Sequence, residues 1–562
     1  MKRIRSIITS RFGFAFLTNF ITVISACVLF RPFWEESDDV GMALLAEGVY
    51  GYFEPHLNYS SIIYGDLLCL LARILPMVRW HAVIMYLVSF VVGTAFTYIL
   101  SKNSSGRILS VIYLIASGYE LYVALQFSKI AAVIGLLSYM ILFDIIKNTY
   151  SPRIKRILTV IAVMGTVFSN MIRLESFLLA TMIAGIYGIW LVVSDCINKR
   201  IFKTIKTYLL YFVPVFALFG IGCVIDHAAY SSQEWNEYMS YFYSAANMAD
   251  YHNEALVYDL HGEELAGLGV SENDALMLIT YEYSDEDFLT KDLMNSISLL
   301  EPKGLGYIDS KFLKAWIANL YEELARPNSV VIAVIMILGL MAAAVLRDEN
   351  RLYLANVLSQ LAVAGIVLFY YQYSGRFCHR VVYTLLLAQL AFFVYLISDM
   401  GEITTEKTAI TCILLMLGLS VIGHRLGNEF DYREDERRLP GYDLLVSYME
   451  DNKDHLFVGD VFTMLEYGKY DVFRPGKKGQ FDNYLSTDLV LFACSPVNHA
   501  IMEKYGYNDT FKALSARDER VILIDNISPE VELDYCREHG DGGEYELKEL
   551  SPVGEFRLYN IR

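Results

Sequence analysis

Long apolar stretches recur along the chain, at about 12–31, 80–100, 108–126, 128–146, 154–172, 176–194, 207–226, 328–346, 352–371, 378–398 and 407–423. Each is near the roughly 17–25 residues that a helix needs to cross a bilayer. The pattern predicts a polytopic α-helical membrane protein with about eleven transmembrane helices. The first stretch follows the basic run MKRIR without a small-residue cleavage site, and reads as a retained anchor. A further stretch, 61–79, is apolar but holds Asp66, Arg73, Pro76 and Arg79. If it spans, the bases of every later loop change side. If it lies flat, Lys2, Arg3, Arg5, Lys102, Arg107, Lys147, Arg153, Lys155 and Arg156 gather on inner loops, as the positive-inside rule asks. It is therefore expected as an interfacial amphipathic helix. The amino terminus is then inside a bacterial cytoplasmic membrane and the carboxy terminus outside. Segments 32–79, 227–327 and 424–562 all face outward.

After 423 the pattern changes. HLFVGD, LVLFAC and RVILID are short apolar runs between polar ones, expected as buried parallel strands. Each precedes a helical stretch, VFTMLEYGKY, SPVNHAIMEKYG and SPEVELDYCREHG, and EFRLYNIR could add an antiparallel edge strand. Residues 424–562 thus read as a small extracytoplasmic α/β domain behind a membrane module, 1–423. The domain lacks phosphate-loop, dinucleotide and zinc-protease motifs, which suits a lid or docking module. The loop 227–327 reads as a small helical insertion resting on the membrane.

Composition narrows the function. Hydrophobic residues make up 55% and charged ones 19%, which excludes a soluble enzyme and a disordered chain. The net charge of −17 is concentrated in 227–327, with 18 acidic and 5 basic residues, and in 424–562, with 28 and 17. Acidic outer surfaces repel phosphate backbones and exclude nucleic acid as a partner. The lipid bilayer is the obligatory one. Cysteine spacing gives no metal site, and a Cys494–Cys536 disulfide stays open.

In this topology Lys129, Arg173, Arg376 and Arg380 lie at the outer face with Glu120 and Glu175. Arg376 and Arg380 flank His379 in one short turn, YSGRFCHRVVY, a good anion-binding pair beside a titratable ring. The densest acidic cluster, RPFWEESDDVGM, follows the first span. Its Asp38 and Asp39 open a helix that Ser37 is expected to cap, and either carboxylate suits a general base.

Ser37-Asp38-Asp39, Gly48-Val49-Tyr50-Gly51 and the Gln126-Phe127-Ser128-Lys129 turn, set in this architecture over about 1–423, resemble the GT-C superfamily of membrane glycosyltransferases. The resemblance implies a sugar donor carried on polyprenyl phosphate, and a cell-surface glycan or glycolipid as acceptor. It also implies an inverting attack with Asp38 as base and Asp39 as its alternate. Glu120, Lys129, Arg173, Glu175, Arg376, His379 and Arg380 are then the substrate-binding candidates, with the cations neutralising the leaving phosphate. No cofactor is assigned. Glu120 could share a divalent metal with Asp38 or Asp39, although no diagnostic ligand triad is present. Two rival readings are a lipid or polysaccharide transporter without covalent chemistry and a membrane scaffold.

Overall fold

The computed structural model describes residues 10–562 apart from 198–200, 302–307, 346–350, 400–417, 419–422, 425–438, 461–462, 464–466 and 489–492. Helix α1 (Arg11–Leu29) leads through strand β1 (Phe33–Trp34) into α2 (Ser37–Glu47) and α3 (Ile62–Ile74). Helices α4 (Trp80–Leu100) and α5 (Ser104–Tyr122), strand β2 (Ala124–Leu125), and helices α6 (Phe127–Lys147), α7 (Pro152–Ile172), α8 (Leu174–Ile197) and α9 (Ile201–Ala229) follow.

The insertion contains α10 (Gln233–Ala246), α11 (Tyr258–Gly267), α12 (Glu272–Ile279), α13 (Lys291–Ser298) and α14 (Ser310–Ala325). Helices α15 (Pro327–Val345), α16 (Arg351–Ser374) and α17 (His379–Asp399) return to the bundle.

Among the described residues eight helices are long and apolar enough to cross a membrane, α1, α4, α6, α7, α8, α9, α16 and α17. The pair Ser310–Ala325 and Ser329–Met341, bent by 94°, makes a ninth if it is one span. The expected span 108–126 is not among them. Helix α5 forms, but its Ser104, Ser105, Arg107, Ser110, Ser117 and Glu120 leave it less apolar than the others. Of the expected span 407–423, all but Gly418 and Gly423 lies outside the described residues. Helix α3 has 13 residues, about 20 Å at 1.5 Å per residue, too short to cross. Helices α6 and α17 form the centre, each with 94% of its apolar window buried, whereas α9 is peripheral with 17%. Small residues let α6 and α7 approach closely: a Cβ on Gly165 would lie 2.1 Å from Ser138 Oγ.

The tail folds as an α/β unit. Helix α18 (Leu439–Asp451) is followed by β3 (Leu456–Gly459), β4 (Tyr484–Ser486), α19 (Pro496–Tyr505), α20 (Thr510–Ser515), β5 (Val521–Ile524), α21 (Pro529–His539), β6 (Leu547–Glu549) and β7 (Leu558–Ile561). The sheet order is β4-β3-β5-β7-β6, with β3 parallel to both β4 and β5. HLFVGD and RVILID form the expected strands. The strand beside β3 is Tyr484–Ser486; of LVLFAC, residues 489–492 lie outside the described ones and Ala493 and Cys494 form a turn. Half of VFTMLEYGKY also lies outside them. EFRLYNIR is antiparallel but not at the edge: β7 sits between β5 and β6, because β6 turns back on its far side. Cys494 and Cys536 are both buried and both free, so no disulfide joins them.

The insertion docks on this domain. Glu282 bridges Asp488, the Tyr283 N–H donates to Thr487 O at 2.6 Å, and Asn273 Nδ2 donates to Val531 O at 3.0 Å. The segment after α1 is tied to it too, through Trp34 N–H to Lys469 O at 2.9 Å and Phe481 N–H to Val49 O at 2.9 Å. Gly48 ends α2 in the left-handed conformation, φ 75°, and its carbonyl accepts the Gly479 N–H at 3.0 Å.

Candidate active site

A two-residue parallel pairing assembles the site. Phe33 and Trp34 of β1 align with Ala124 and Leu125 of β2, which sets the start of α2 beside the start of α6. Gln126 accepts the Lys129 N–H at 2.8 Å and caps α6. Helix α2 starts differently from the expectation: Glu36 occupies the cap position and no side-chain cap forms, so Ser37 is already the first helical residue. Asp38 and Asp39 do occupy the first turn, where the helix dipole favours carboxylates.

The two carboxylates have different surroundings. Asp38 borders a cavity of about 540 Å³ whose charged rim includes Arg173, Arg376, Arg380, Asp250 and Lys469. Arg380 Nη1 lies 3.3 Å from Asp38 Oδ2 and 3.3 Å from Glu36 Oε2. Burial raises the Glu36 carboxyl, the Arg380 charge opposes it, and Asp38 and Glu35 add to the rise. Asp39 points the other way, is fully buried, and lies with Oδ1 3.0 Å from His81 Nε2. Burial and then the Asp38 charge hold its carboxyl well above the usual range, opposed by the Phe127 N–H.

The other candidates divide into two groups. Arg173, Glu175, Arg376 and Arg380 line the cavity. Arg376 Nη1 pairs with Asp250 Oδ1 at 2.6 Å, and the Tyr281 hydroxyl donates to the same oxygen at 2.9 Å. Arg173 Nε pairs with Glu175 Oε2 at 2.8 Å, and its guanidinium lies 4.9 Å from the Tyr59 ring centre.

Glu120, Lys129 and His379 do not border the cavity. Lys129 is fully buried between Glu120 and Glu35, with Nζ 2.6 Å from an oxygen of each. Its charge is neutralised inside the protein. His379 Nδ1 pairs with Glu323 Oε2 at 2.8 Å. With Glu120 committed to Lys129 and Asp39 to His81, the donor set considered for a divalent ion does not converge on Asp38. Among the described residues, metal-ligand atoms of three side chains come within 4.8 Å of one another only at Asp274, Glu538 and His539. That group joins the insertion to the tail and lies outside the cavity lining.

Several residues at the site carried no sequence signal. His81 is one isolated histidine among ten, and Asp250 is one of 18 acids in the insertion. Lys469 and Asp488 reach the cavity from the tail, more than 400 residues after Asp38. Only the long-range fold brings them there.

No family model matches the chain, and no curated protein matches it. Two solved structures align with it over most of its length. ArnT from Cupriavidus metallidurans, bound to undecaprenyl phosphate, is 10% identical, with 97% of this chain and 96% of that one covered and a TM-score of 0.36. An oligosaccharyltransferase from Archaeoglobus fulgidus, in complex with Zn and sulfate, is 12% identical, with 98% and 73% covered and a TM-score of 0.40. Likenesses of this size leave the chemistry to be argued from the cavity itself.

Proposed function

We propose that the protein is a membrane glycosyltransferase that moves a sugar from a polyprenyl-phosphate donor to a cell-envelope glycan or glycolipid on the outer face. The observation that carries this reading is the meeting of Asp38 with three arginines around one cavity at the end of the membrane helices. The acceptor hydroxyl oxygen bonds to the anomeric carbon as the bond from that carbon to the phosphate oxygen breaks, with inversion. The hydroxyl proton passes to the Asp38 carboxylate, and polyprenyl phosphate leaves as an anion. Arg380 orients Asp38 through Nη1 and turns the rest of its fork, with Arg376, to the phosphate. Leu179, Tyr370 and Val381 supply an apolar wall for the first prenyl units, while Tyr281 and Lys469 border the aqueous side where an acceptor enters.

A transporter calls for ionisable groups near the middle of the membrane. The described ion pairs of the central helix instead lie at its ends, Lys129 at one and Asp144 and Lys147 at the other. Asp38→Asn keeps the side-chain shape and removes the basicity. Transfer from synthetic polyprenyl-phosphate hexoses and pentoses, with an envelope extract as acceptor, should fall by about 10²–10⁴-fold in detergent with folding intact. Near-normal turnover would sink the base assignment.

A further inference from the structure

Adjacent helical residues point about 100° apart, so Asp38 and Asp39 cannot both face the cavity. Asp39 turns into a buried, aromatic environment where an unmatched carboxylate would be costly. Residues from three other elements meet it there. From α4, His81 Nε2 lies 3.0 Å from Asp39 Oδ1. Tyr64 of α3 lies with its hydroxyl 2.8 Å from His81 Nδ1. The Trp34 ring of β1 stacks on the imidazole, with centroids 5.2 Å apart and planes 22° from parallel. Trp34, Asp39, Tyr64 and His81 are each at most 1% exposed, and none borders the cavity.

One order of hydrogens joins the chain end to end. The Tyr64 phenol stays protonated, because burial and then the Asp39 charge raise its pKa well above the ordinary value. In the order in which it donates to Nδ1, the imidazole proton is on Nε2, aimed at Asp39. The nearby Arg79 is bonded to Glu47, and Lys129 to Glu35 and Glu120. Neither cation is needed by Asp39.

We propose that Tyr64 and His81 are positioning residues: a buried chain, held flat by Trp34, that anchors Asp39 and so fixes the first turn of α2 with Asp38 turned to the cavity. This rests on the glycosyltransferase reading. It assigns the two neighbouring carboxylates separate work, one chemical and one mechanical, and it gives a role to a histidine far from both in sequence. Releasing Asp39 lets the first turn of α2 rotate, and a misplacement of about 1 Å at a reacting group can cost about 100-fold in rate.

The test is steady-state transfer by the full chain in detergent, from a panel of short-chain polyprenyl-phosphate hexoses and pentoses with an envelope extract as acceptor. His81→Leu should lower kcat by about 100-fold and leave the KM for the donor unchanged. His81→Gln keeps an N–H donor and should restore kcat to within about ten-fold of wild type. Tyr64→Phe keeps the ring and its packing, and should cost about three- to ten-fold in kcat even if the Leu variant does not fold. Equal losses in His81→Leu and His81→Gln with a raised KM would reduce His81 to packing. Unchanged kcat in both His81→Leu and Tyr64→Phe would overturn the proposal while leaving the enzyme reading intact. A wild-type protein inactive on the whole panel would instead overturn the enzyme reading, and this proposal with it.

Discussion

The two ends of the membrane bundle use the same side chains for different ends. At the end away from the tail, Lys102 pairs with Asp144, which also accepts from Tyr150 and, at 3.0 Å, from Asn148 Nδ2. Lys147 pairs there with Asp399 and donates to the Tyr187 hydroxyl at 3.2 Å. Arg11 donates to Tyr98 O at 2.8 Å and lies 4.4 Å from the same tyrosine's ring centre. These groups are closed among themselves. At the other end Asp38, Arg173, Arg376 and Arg380 also have partners, yet each keeps an edge on the cavity. The difference teaches that ion pairing alone does not separate an anchor from a reactive group. An opening for a ligand does.

The comparison breaks most simply on sidedness. A reporter active only in the cytoplasm should be silent when fused after Arg562, since the tail packs on the cavity end and the loop bases gather at the other. Activity there would put the cavity inside. Next in size, Arg376→Ala and Arg380→Ala should each remove a charge-assisted contact of about 1.5–3 kcal/mol and weaken donor use by about ten- to a hundred-fold. Lysine at either position should rescue only partly, because an ammonium lacks the two-pronged geometry. Donor titrations of each variant decide this.

At the closed end, Lys102→Ala strips a partner from Asp144, whose side chain is fully buried. It should lower folding stability by about 1–3 kcal/mol in thermal unfolding and leave kcat unchanged. A selective loss of kcat would erase the contrast between the ends. The last contrast concerns the insertion and tail. Burial and then Asp460 push the Glu282 carboxyl from 4.5 up to about 8. The folded state therefore holds this proton more tightly than the unfolded one. Its contribution is complete below about 4.5 and is lost as pH rises through about 8. The unfolding midpoint should fall between about pH 5 and about pH 9, and Glu282→Gln should flatten that dependence.

Much of the fold was legible because spans and buried strands advertise themselves by local pattern. The apolar runs at 128–146 and 378–398 became the two central helices, and HLFVGD and RVILID became neighbouring strands. The carboxylate pair was legible for the same reason, as a polar cluster directly after an apolar span. What failed was pairing at a distance. Lys129 reads as an open cation until Glu35 and Glu120 fold over it. Tyr484–Ser486 is only three residues long, too short to alternate visibly. His81 carries no local mark, since its partners Asp39 and Tyr64 come from separate helices.

The pairing of Phe33 and Trp34 with Ala124 and Leu125 also dictates when the site exists during synthesis. The carboxylate segment leaves the ribosome early, but its alignment waits for β2, some ninety residues later. Trp34 then waits for the carbonyl of Lys469, and the cavity for the side chains of Lys469 and Asp488. A nascent chain holding every membrane helix but no tail therefore carries the carboxylate pair without its enclosure. A chain truncated between 424 and 469 should be already inserted and still inert, with the last domain made acting as the closing step of assembly.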